Sequence, residues 1–236
     1  MIVSIMQPGY IPWLGFFELM RRVDVFVIYN DVDYDSESWR NRNRIRTQQG
    51  SCWLTVPVKT KGRHGQKIME VEIDNCHNWR KRHRKSLLQH YHYAPYLNQI
   101  IPFFDKLYAQ EWNLLQDLDM AIILFLKDYF GIPTKLLYSS DLRGPGQKTE
   151  RLVSLCLELH ATTYISANGA HDYLQTEQFD QACIKVEFQN YEHPIYPQQY
   201  DGFISHLSVV DLVFNCGERS FDILMSGSSS PYRVSL

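Results

Sequence analysis

Hydrophobic runs near the start of the chain enclose a segment with helical spacing. Residues 1–6 (MIVSIM) and 23–29 (VDVFVIY) are short apolar runs of the kind that forms buried strands. Between them, residues 15–22 (GFFELMRR) place apolar side chains on one side of a helix. A strand, a helix and a second strand in this order predict a βαβ unit and therefore a parallel sheet.

The rest of the chain continues this alternation of apolar runs and helical patterns. Further strands are predicted at 51–60, 67–74, 135–142, 162–170 and 184–193. Helices are predicted from residue 75 onward, at 96–131 with a break at Pro102, and at 148–161, 171–183 and 208–217. We therefore predict one α/β domain over residues 1–225, with a Rossmann-like, mostly parallel sheet flanked by helices. A helical segment at about 78–130 is inserted in its middle, and residues 226–236 form a flexible tail.

The loop after the first strand, residues 7–13 (QPGYIPW), is a candidate floor for a ligand pocket. Ligands of parallel sheets bind at the carboxyl ends of the strands. We expect Gln7 to form a hydrogen bond with an amide or hydroxyl group of the ligand. Tyr10 and Trp13 would stack on a sugar or a base. Gly15 would let the backbone approach the ligand closely. The alternative is a rigid turn with a purely structural role.

A row of arginines follows, because Arg40, Arg42 and Arg44 are spaced two residues apart. Alternate side chains of an extended chain share one face, so the three guanidinium groups would point the same way. Arginine suits phosphate and carboxylate because its planar fork donates two hydrogen bonds. The row predicts an anion site, and we include Asn41 among its ligand contacts. The alternative is an exposed edge strand whose charges deter aggregation.

Two other loops carry polar groups that suit anionic ligands. Asp31 and Asp33 follow the second strand, where they would hold Mg²⁺ or, as is more common, pair with the arginines. Asn168 and Gly169 lie at a predicted strand-to-helix turn, where free N–H groups bind anions.

Histidines near the end of the chain are candidates for proton transfer. His193 and His206 would act as an acid or base, or would contact the ligand. Ser208 and Asp211 have the spacing of a helix N-cap and its third residue. A catalytic Ser-His-Asp triad is disfavoured, because the chain lacks a GxSxG elbow.

Charge and composition narrow the classes of partner. The formal charge is −2, which gives no general attraction to nucleic acid or anionic lipid. The basic run at 80–85 indicates a solvent-exposed helix face, and a phosphate contact is the alternative. The five cysteines include no CxxC pair, which disfavours a zinc or redox site. Their odd number and wide spacing favour a reduced, cytoplasmic protein. No stretch approaches the ~18 apolar residues of a membrane span.

Several long stretches together resemble one family, the WbqC-like proteins of bacteria. They are residues 6–20, 31–47, 53–58, 78–87, 150–174 and 196–217. The family is named for genes near O-antigen and other surface-polysaccharide clusters, so the resemblance implies a role in making or decorating sugars. The opening is also distantly similar to the HIGH-motif nucleotidyl-transfer fold, which includes pantoate ligase. Aligned on Gly15, however, Trp13 and Phe16 stand where that motif has its two phosphate-gripping histidines.

The resemblance and the loop chemistry together predict an enzyme, a transferase or an ATP-dependent ligase. It would place an activated acyl, aminoacyl or nucleotidyl group onto an amino sugar or similar acceptor. The arginine row would bind the anion of the donor, which is ATP or another nucleotide with Mg²⁺. Asp31 would hold the metal or take part in catalysis, and His193 or His206 would move a proton. The alternatives are a non-catalytic protein that binds a nucleotide sugar or a partner, and a nucleic-acid-binding protein. The sequence leaves open whether the protein forms a homodimer.

Overall fold

A computed structural model describes residues 1–36, 38–170 and 174–228. The strands are β1 (Ile2–Met6), β2 (Val25–Ile28), β3 (Arg42–Thr47), β4 (Gly50–Thr55), β5 (Lys135–Tyr138), β6 (Thr163–Ser166) and β7 (Lys185–Phe188). The helices are α1 (Leu14–Arg21), α2 (Trp79–His90), α3 (Leu97–Ala109), α4 (Leu115–Tyr129), α5 (Lys148–Glu158), α6 (Thr176–Gln181), α7 (Val209–Cys216) and α8 (Ser220–Ser226). Most of the predicted flexible tail, and residues 171–173 of a predicted helix, lie outside the described ranges.

Five of the described strands form one parallel sheet in the order β5-β2-β1-β6-β7. The sheet is flanked by helices, so the predicted α/β, Rossmann-like fold class is confirmed. The chain moves outward from β1 through β2 to β5, and then returns to the other side of β1 for β6 and β7. The strand order therefore reverses between β1 and β6. In open α/β sheets, ligands bind at the carboxyl ends of the strands beside such a switch point.

The central strands of the sheet are buried on both faces, which explains their continuous apolar runs. In β2, Val25 and Val27 pack in a cluster that includes buried residues of α5 and α6. Phe26 and Ile28, which point the opposite way, belong to a second cluster with residues of α1, α3, α4 and α7. In the described part of the chain, no helix is both long and apolar enough to cross a membrane.

The strand predicted at 67–74 is wrong. Ile68–Glu70 forms a single 3-10 turn, and the N–H group of Ile68 donates to the carbonyl of Val32 at 2.9 Å. Ile68, Val71 and Ile73 are nevertheless buried. The apolar residues of this segment pack against the core, but its backbone pairs with a loop instead of a sheet.

The break predicted at Pro102 is also wrong, because this residue lies inside α3. Burial of Ile101, Phe104 and Leu107 on one side of the helix holds its two halves in line. The helical pattern is interrupted later, between Ala109 and Leu115, where the chain leaves α3 and enters α4.

The antiparallel hairpin formed by β3 and β4 packs against the loop that follows β1. The N–H group of Tyr10 donates to the carbonyl of Arg40 at 2.9 Å. On the other side, the N–H group of Ser208 donates to the carbonyl of Arg44 at 2.9 Å. The hairpin thus joins the first loop to the start of α7, and all three segments meet near the carboxyl end of β1.

Candidate functional site

A cavity of about 280 Å³ lies at the carboxyl end of β1. It is lined by Met6, Gln7, Gly9, Pro12, Trp13, Phe16, Trp39, Arg40, Asn43 and His206. The cavity brings together four of the predicted site residues, from the first loop, the arginine row and the region before α7. Its volume is just below the ~300–1,000 Å³ of pockets for drug-sized ligands. A single sugar ring or base fits this volume better than a whole nucleotide sugar.

Side chains of the hairpin region hold the floor of the cavity in place. Nη1 of Arg40 donates to the carbonyls of Gln7 and Pro8, at 3.0 and 3.2 Å. Nδ2 of Asn43 donates to the carbonyl of Ile11 at 2.7 Å. The backbone of Ile11 has a φ of 45°. A non-glycine residue in this conformation is strained, and the bond to Asn43 fixes it. The loop is therefore ordered before any ligand arrives.

Trp13 forms one wall of the cavity, and Gly15 provides the space for it. A Cβ atom on Gly15 would lie 2.2 Å from Cη2 of Trp13, so any larger residue would displace the indole. The ring of His206 stacks on Trp13 with 6.0 Å between their centroids. The ring of Tyr191 contacts Trp13 edge-on, with 5.6 Å between their centroids. Gly15 was predicted to let a ligand approach the backbone closely. In the structure, the indole of Trp13 occupies that space instead.

Tyr10 offers no surface on which a ligand could stack, contrary to the sequence-based prediction. Its side chain is fully buried, and its hydroxyl bonds to Nδ1 of His83 at 2.8 Å and to the hydroxyl of Tyr108 at 2.5 Å. Burial raises the pKa of Tyr10 and lowers the pKa of His83 to about 4, so both groups are neutral near pH 7. The three residues anchor the first loop to α2 and α3.

The arginine row is divided between two surfaces. Arg42 and Arg44 lie on the outer face of β3, and Asn41 and Asn43 are buried on the inner side, as the alternation predicts. Nδ2 of Asn41 donates to the carbonyl of Val56 at 2.8 Å, so Asn41 serves the hairpin and does not line the cavity. Arg40 precedes the strand and turns toward the first loop.

Asp31 and Asp33 pair with cations outside the arginine row. Asp31 accepts from Arg151 and from the hydroxyl of Ser139, each at 2.5 Å. Asp33 pairs with Lys67 at 2.6 Å. Among the described residues, no group of three or more His, Cys, Asp or Glu side chains could hold a metal ion. A Mg²⁺ ion at Asp31 and Asp33 would therefore need further oxygen ligands from a bound phosphate.

His206 is the histidine that reaches the cavity, and His193 lies behind it. Their ring centroids are 4.9 Å apart. Burial, together with the neighbouring His206, lowers the pKa of His193 to about 4. His206 is exposed, and its Nδ1 atom bonds to Oγ of Ser205 at 2.9 Å. Its backbone has a φ of 57°, a strained conformation of the kind found at functional sites.

Asn168 and Gly169 form a 3-10 turn directly after β6. Both are exposed, and Oδ1 of Asn168 accepts from the N–H group of Asn190 at 2.8 Å. The turn lies on the same edge of the sheet as the cavity, across the switch point from β1, but neither residue lines the cavity. Their predicted role in binding an anion stays a prediction.

The predicted capping pattern places Ser208 and Asp211 correctly at the start of α7, but its side-chain hydrogen bonds are not formed. Ser208 stands at the N-cap position without a side-chain capping bond. Asp211 instead accepts from the hydroxyls of Tyr91 and Tyr196 and from Nε2 of Gln198, at 2.9, 2.9 and 2.8 Å. Burial raises its pKa to about 6. These bonds anchor residues 196–198, which belong to the segment that carries His193 and His206.

Sequence reasoning missed Trp39 and Asn43 as parts of the cavity. The sequence pattern indicates a ligand contact for neither residue. Trp39 is 46% exposed and Trp53, beside it, is 47% exposed. Half-exposed tryptophans next to a cavity are a signal that only the folded structure provides.

Comparisons with known proteins match almost the whole length of the chain. The model of the WbqC-like protein family matches residues 7–223. One similar protein is "Uncharacterized protein Rv1507c" of Mycobacterium tuberculosis (strain ATCC 25618 / H37Rv). It is 40% identical over 224 residues, which cover 94% of this chain and 96% of the relative. No solved structure matches, so the likeness of the opening to the HIGH-motif fold stays a prediction.

Proposed function

Because the chain belongs to the WbqC-like protein family, we propose that it is an enzyme of polysaccharide-related biosynthesis. It transfers or ligates an activated acyl, aminoacyl or nucleotidyl group onto an amino sugar or a similar small acceptor. Membership of the family suggests the biosynthetic setting, and the chemistry of the cavity supports the class of ligand.

The observation that carries this proposal is the composition of the cavity. Trp13 and Trp39 are flat apolar surfaces, which bind the faces of sugar rings and bases. Gln7 and Arg40 contribute polar groups that orient hydroxyl, amide or anionic groups of a ligand. Apolar walls with a few convergent polar groups are characteristic of small-molecule sites. The position beside the switch point of the sheet favours the same conclusion.

His206 is the residue we assign to proton transfer. Its Nδ1 atom bonds to Ser205, which leaves Nε2 for the acceptor. In an acyl transfer, the amine nitrogen of the acceptor forms a bond to the activated carbonyl carbon. The bond to the leaving group breaks with its electron pair, and His206 takes the proton from the amine. His193 supports the ring of His206. Asp31 and Asp33 would bind Mg²⁺ on the phosphates of a nucleotide donor.

Replacing His206 by glutamine is expected to lower the rate of product formation by roughly 10²–10⁴-fold and to change ligand affinity little. Purified protein is incubated with glucosamine, either free or linked to UDP, and with each of acetyl-CoA, CTP with Mg²⁺, and ATP with Mg²⁺ and an amino acid. Products are followed by mass spectrometry. His92→Gln, a change at another exposed histidine, is the matched control and should keep full activity. If the wild-type protein binds sugar ligands but forms no product with any donor, the enzymatic proposal fails and a non-catalytic binding protein is favoured.

A further inference from the structure

The outer face of the β3–β4 hairpin exposes two tryptophans beside the cavity. Trp39 and Trp53 are 46% and 47% exposed, and their ring centroids are 4.8 Å apart with an angle of 49° between the planes. Exposed aromatic groups of this size are costly in water and mark interaction sites when they cluster. Trp39 also lines the cavity, so the exposed pair continues the cavity outward along the hairpin.

Two arginines lie among these rings. Cζ of Arg42 is 5.0 Å from the ring centroid of Trp53, and Cζ of Arg44 is 5.5 Å from that of Trp39. Arg44 pairs directly with Trp53 across the two strands. We refer to Trp39, Arg42, Arg44 and Trp53 as the hairpin platform. It combines flat surfaces for stacking with donors for an anion.

Arg44 links the platform to the cavity. Its Nη2 atom donates to the carbonyl of His206 at 3.4 Å, and its guanidinium lies over the ring of Trp39. Both of these neighbours line the cavity. Within the described residues, Arg44 forms no ion pair with a carboxylate, so its charge is not neutralised there by the protein. A positive charge at the rim of a cavity favours a ligand whose anionic group emerges from that cavity.

The alternative role of the arginines, which is to deter aggregation at an edge strand, does not explain the exposed tryptophans. Charges on an edge strand deter association with other chains, but two exposed tryptophans on the same face promote it. The cavity also has too little volume for two rings and their linker. A ligand with a second ring and an anionic linker would account for both the platform and the limited volume.

We infer that the hairpin platform binds the nucleotide half of a nucleoside-diphosphate sugar. The sugar ring lies in the cavity against Trp13, the diphosphate contacts Arg44 and Arg42, and the base stacks on Trp53. This inference rests on the proposed function and narrows it, because the amino sugar then arrives already linked to a nucleotide. The acceptor amine is presented to His206, while the diphosphate lies at the rim.

Calorimetric titration with UDP-glucosamine, UDP and glucosamine tests this assignment. The whole ligand should bind at least about 10-fold more tightly than either part. Stacking of a base on an aromatic side chain contributes about 1–3 kcal/mol by alanine substitution. Trp53→Ala should therefore weaken UDP-glucosamine and UDP by about 10-fold or more, and should leave glucosamine binding unchanged. Arg44→Gln should weaken the same two ligands. Tyr93→Ala, which removes an aromatic ring that is 76% exposed, is the control and should change nothing.

The outcomes separate this inference from the proposed function. If UDP-glucosamine binds equally well to the wild-type protein, Trp53→Ala and Arg44→Gln, the platform is not its binding surface and the inference fails alone. If glucosamine binds and no UDP ligand does, the inference also fails, while the acceptor site of the proposed function stands. If neither glucosamine nor UDP-glucosamine binds, both are wrong. Both variants change partly exposed side chains, and their melting temperatures verify that they are folded.

Discussion

Replacing Asp211 by alanine is expected to lower the free energy of unfolding by about 3–5 kcal/mol, because three hydrogen-bond donors lose their acceptor at about 1–3 kcal/mol each. The Asp211 side chain is fully buried and accepts hydrogen bonds from Tyr91, Tyr196 and Gln198. Alanine would leave three donors without their acceptor, two of them buried tyrosine hydroxyls. A buried donor that loses its partner retains its full desolvation cost. The effect should therefore exceed that of an ordinary truncation in the core.

The measurement is urea unfolding, followed by circular dichroism. Asp222→Ala, which removes an exposed carboxylate from α8, is the matched control and should change stability by no more than about 0.5 kcal/mol. A loss below about 1 kcal/mol for Asp211→Ala would contradict the account. It would mean that the three donors find other partners, so that Asp211 does not anchor the segment before α7.

Replacing Trp13 by alanine is expected to weaken the binding of UDP-glucosamine by about 10–100-fold. The indole forms a wall of the cavity and supports the ring of His206. Its removal would open the cavity to water and would take away the stacking surface for the sugar ring. Trp13→Phe should recover part of the affinity, because it keeps a flat aromatic face at the same place.

The matched control for this change is Trp112→Ala. Trp112 is also partly buried, and its Nε1 atom donates to the carbonyl of Leu107, but it does not line the cavity. Calorimetric titration should show normal affinity for Trp112→Ala, even if its melting temperature falls. Equal affinities for Trp13→Ala and Trp112→Ala would exclude the cavity as the sugar site.

Local patterns in the sequence were sufficient to predict where the five strands of the parallel sheet lie. A strand buried on both faces requires a continuous apolar run, and β2 has one because Val25 and Val27 pack on one side and Phe26 and Ile28 on the other. The segment at 67–74 has a similar composition but forms no strand. Its apolar side chains are buried equally well, and only the distant partners of its backbone distinguish the two cases.

Contacts between distant parts of the chain also limited the prediction of the candidate site. Gln7, Trp13, Arg40 and His206 meet at one cavity, in agreement with the rule that loops at the carboxyl ends of parallel strands form the site. Tyr10 lies in the same loop but points into the core, because His83 of α2 provides its hydrogen-bond partner. The direction of a side chain in a loop depends on such tertiary partners, which a single sequence does not reveal.

The exposure of Trp53 could not be predicted for a similar reason. Its position in β4 opposite Arg44 follows from the hairpin register. Whether another element covers the outer face of that hairpin depends on the whole fold. The described structure leaves Trp53 about half exposed, and this exposure turns a row of charged residues into a candidate binding surface.

Both proposals require that the cavity at the carboxyl end of β1 binds a sugar ligand. A crystal structure of the protein with UDP-glucosamine tests it most directly. We expect the sugar ring to lie against Trp13, with polar contacts to Gln7 and Arg40 and with the diphosphate at the rim beside Arg44. An empty cavity, with the ligand held elsewhere, for example by Lys81, Arg84 and Lys85 on α2, would exclude the cavity as the sugar site.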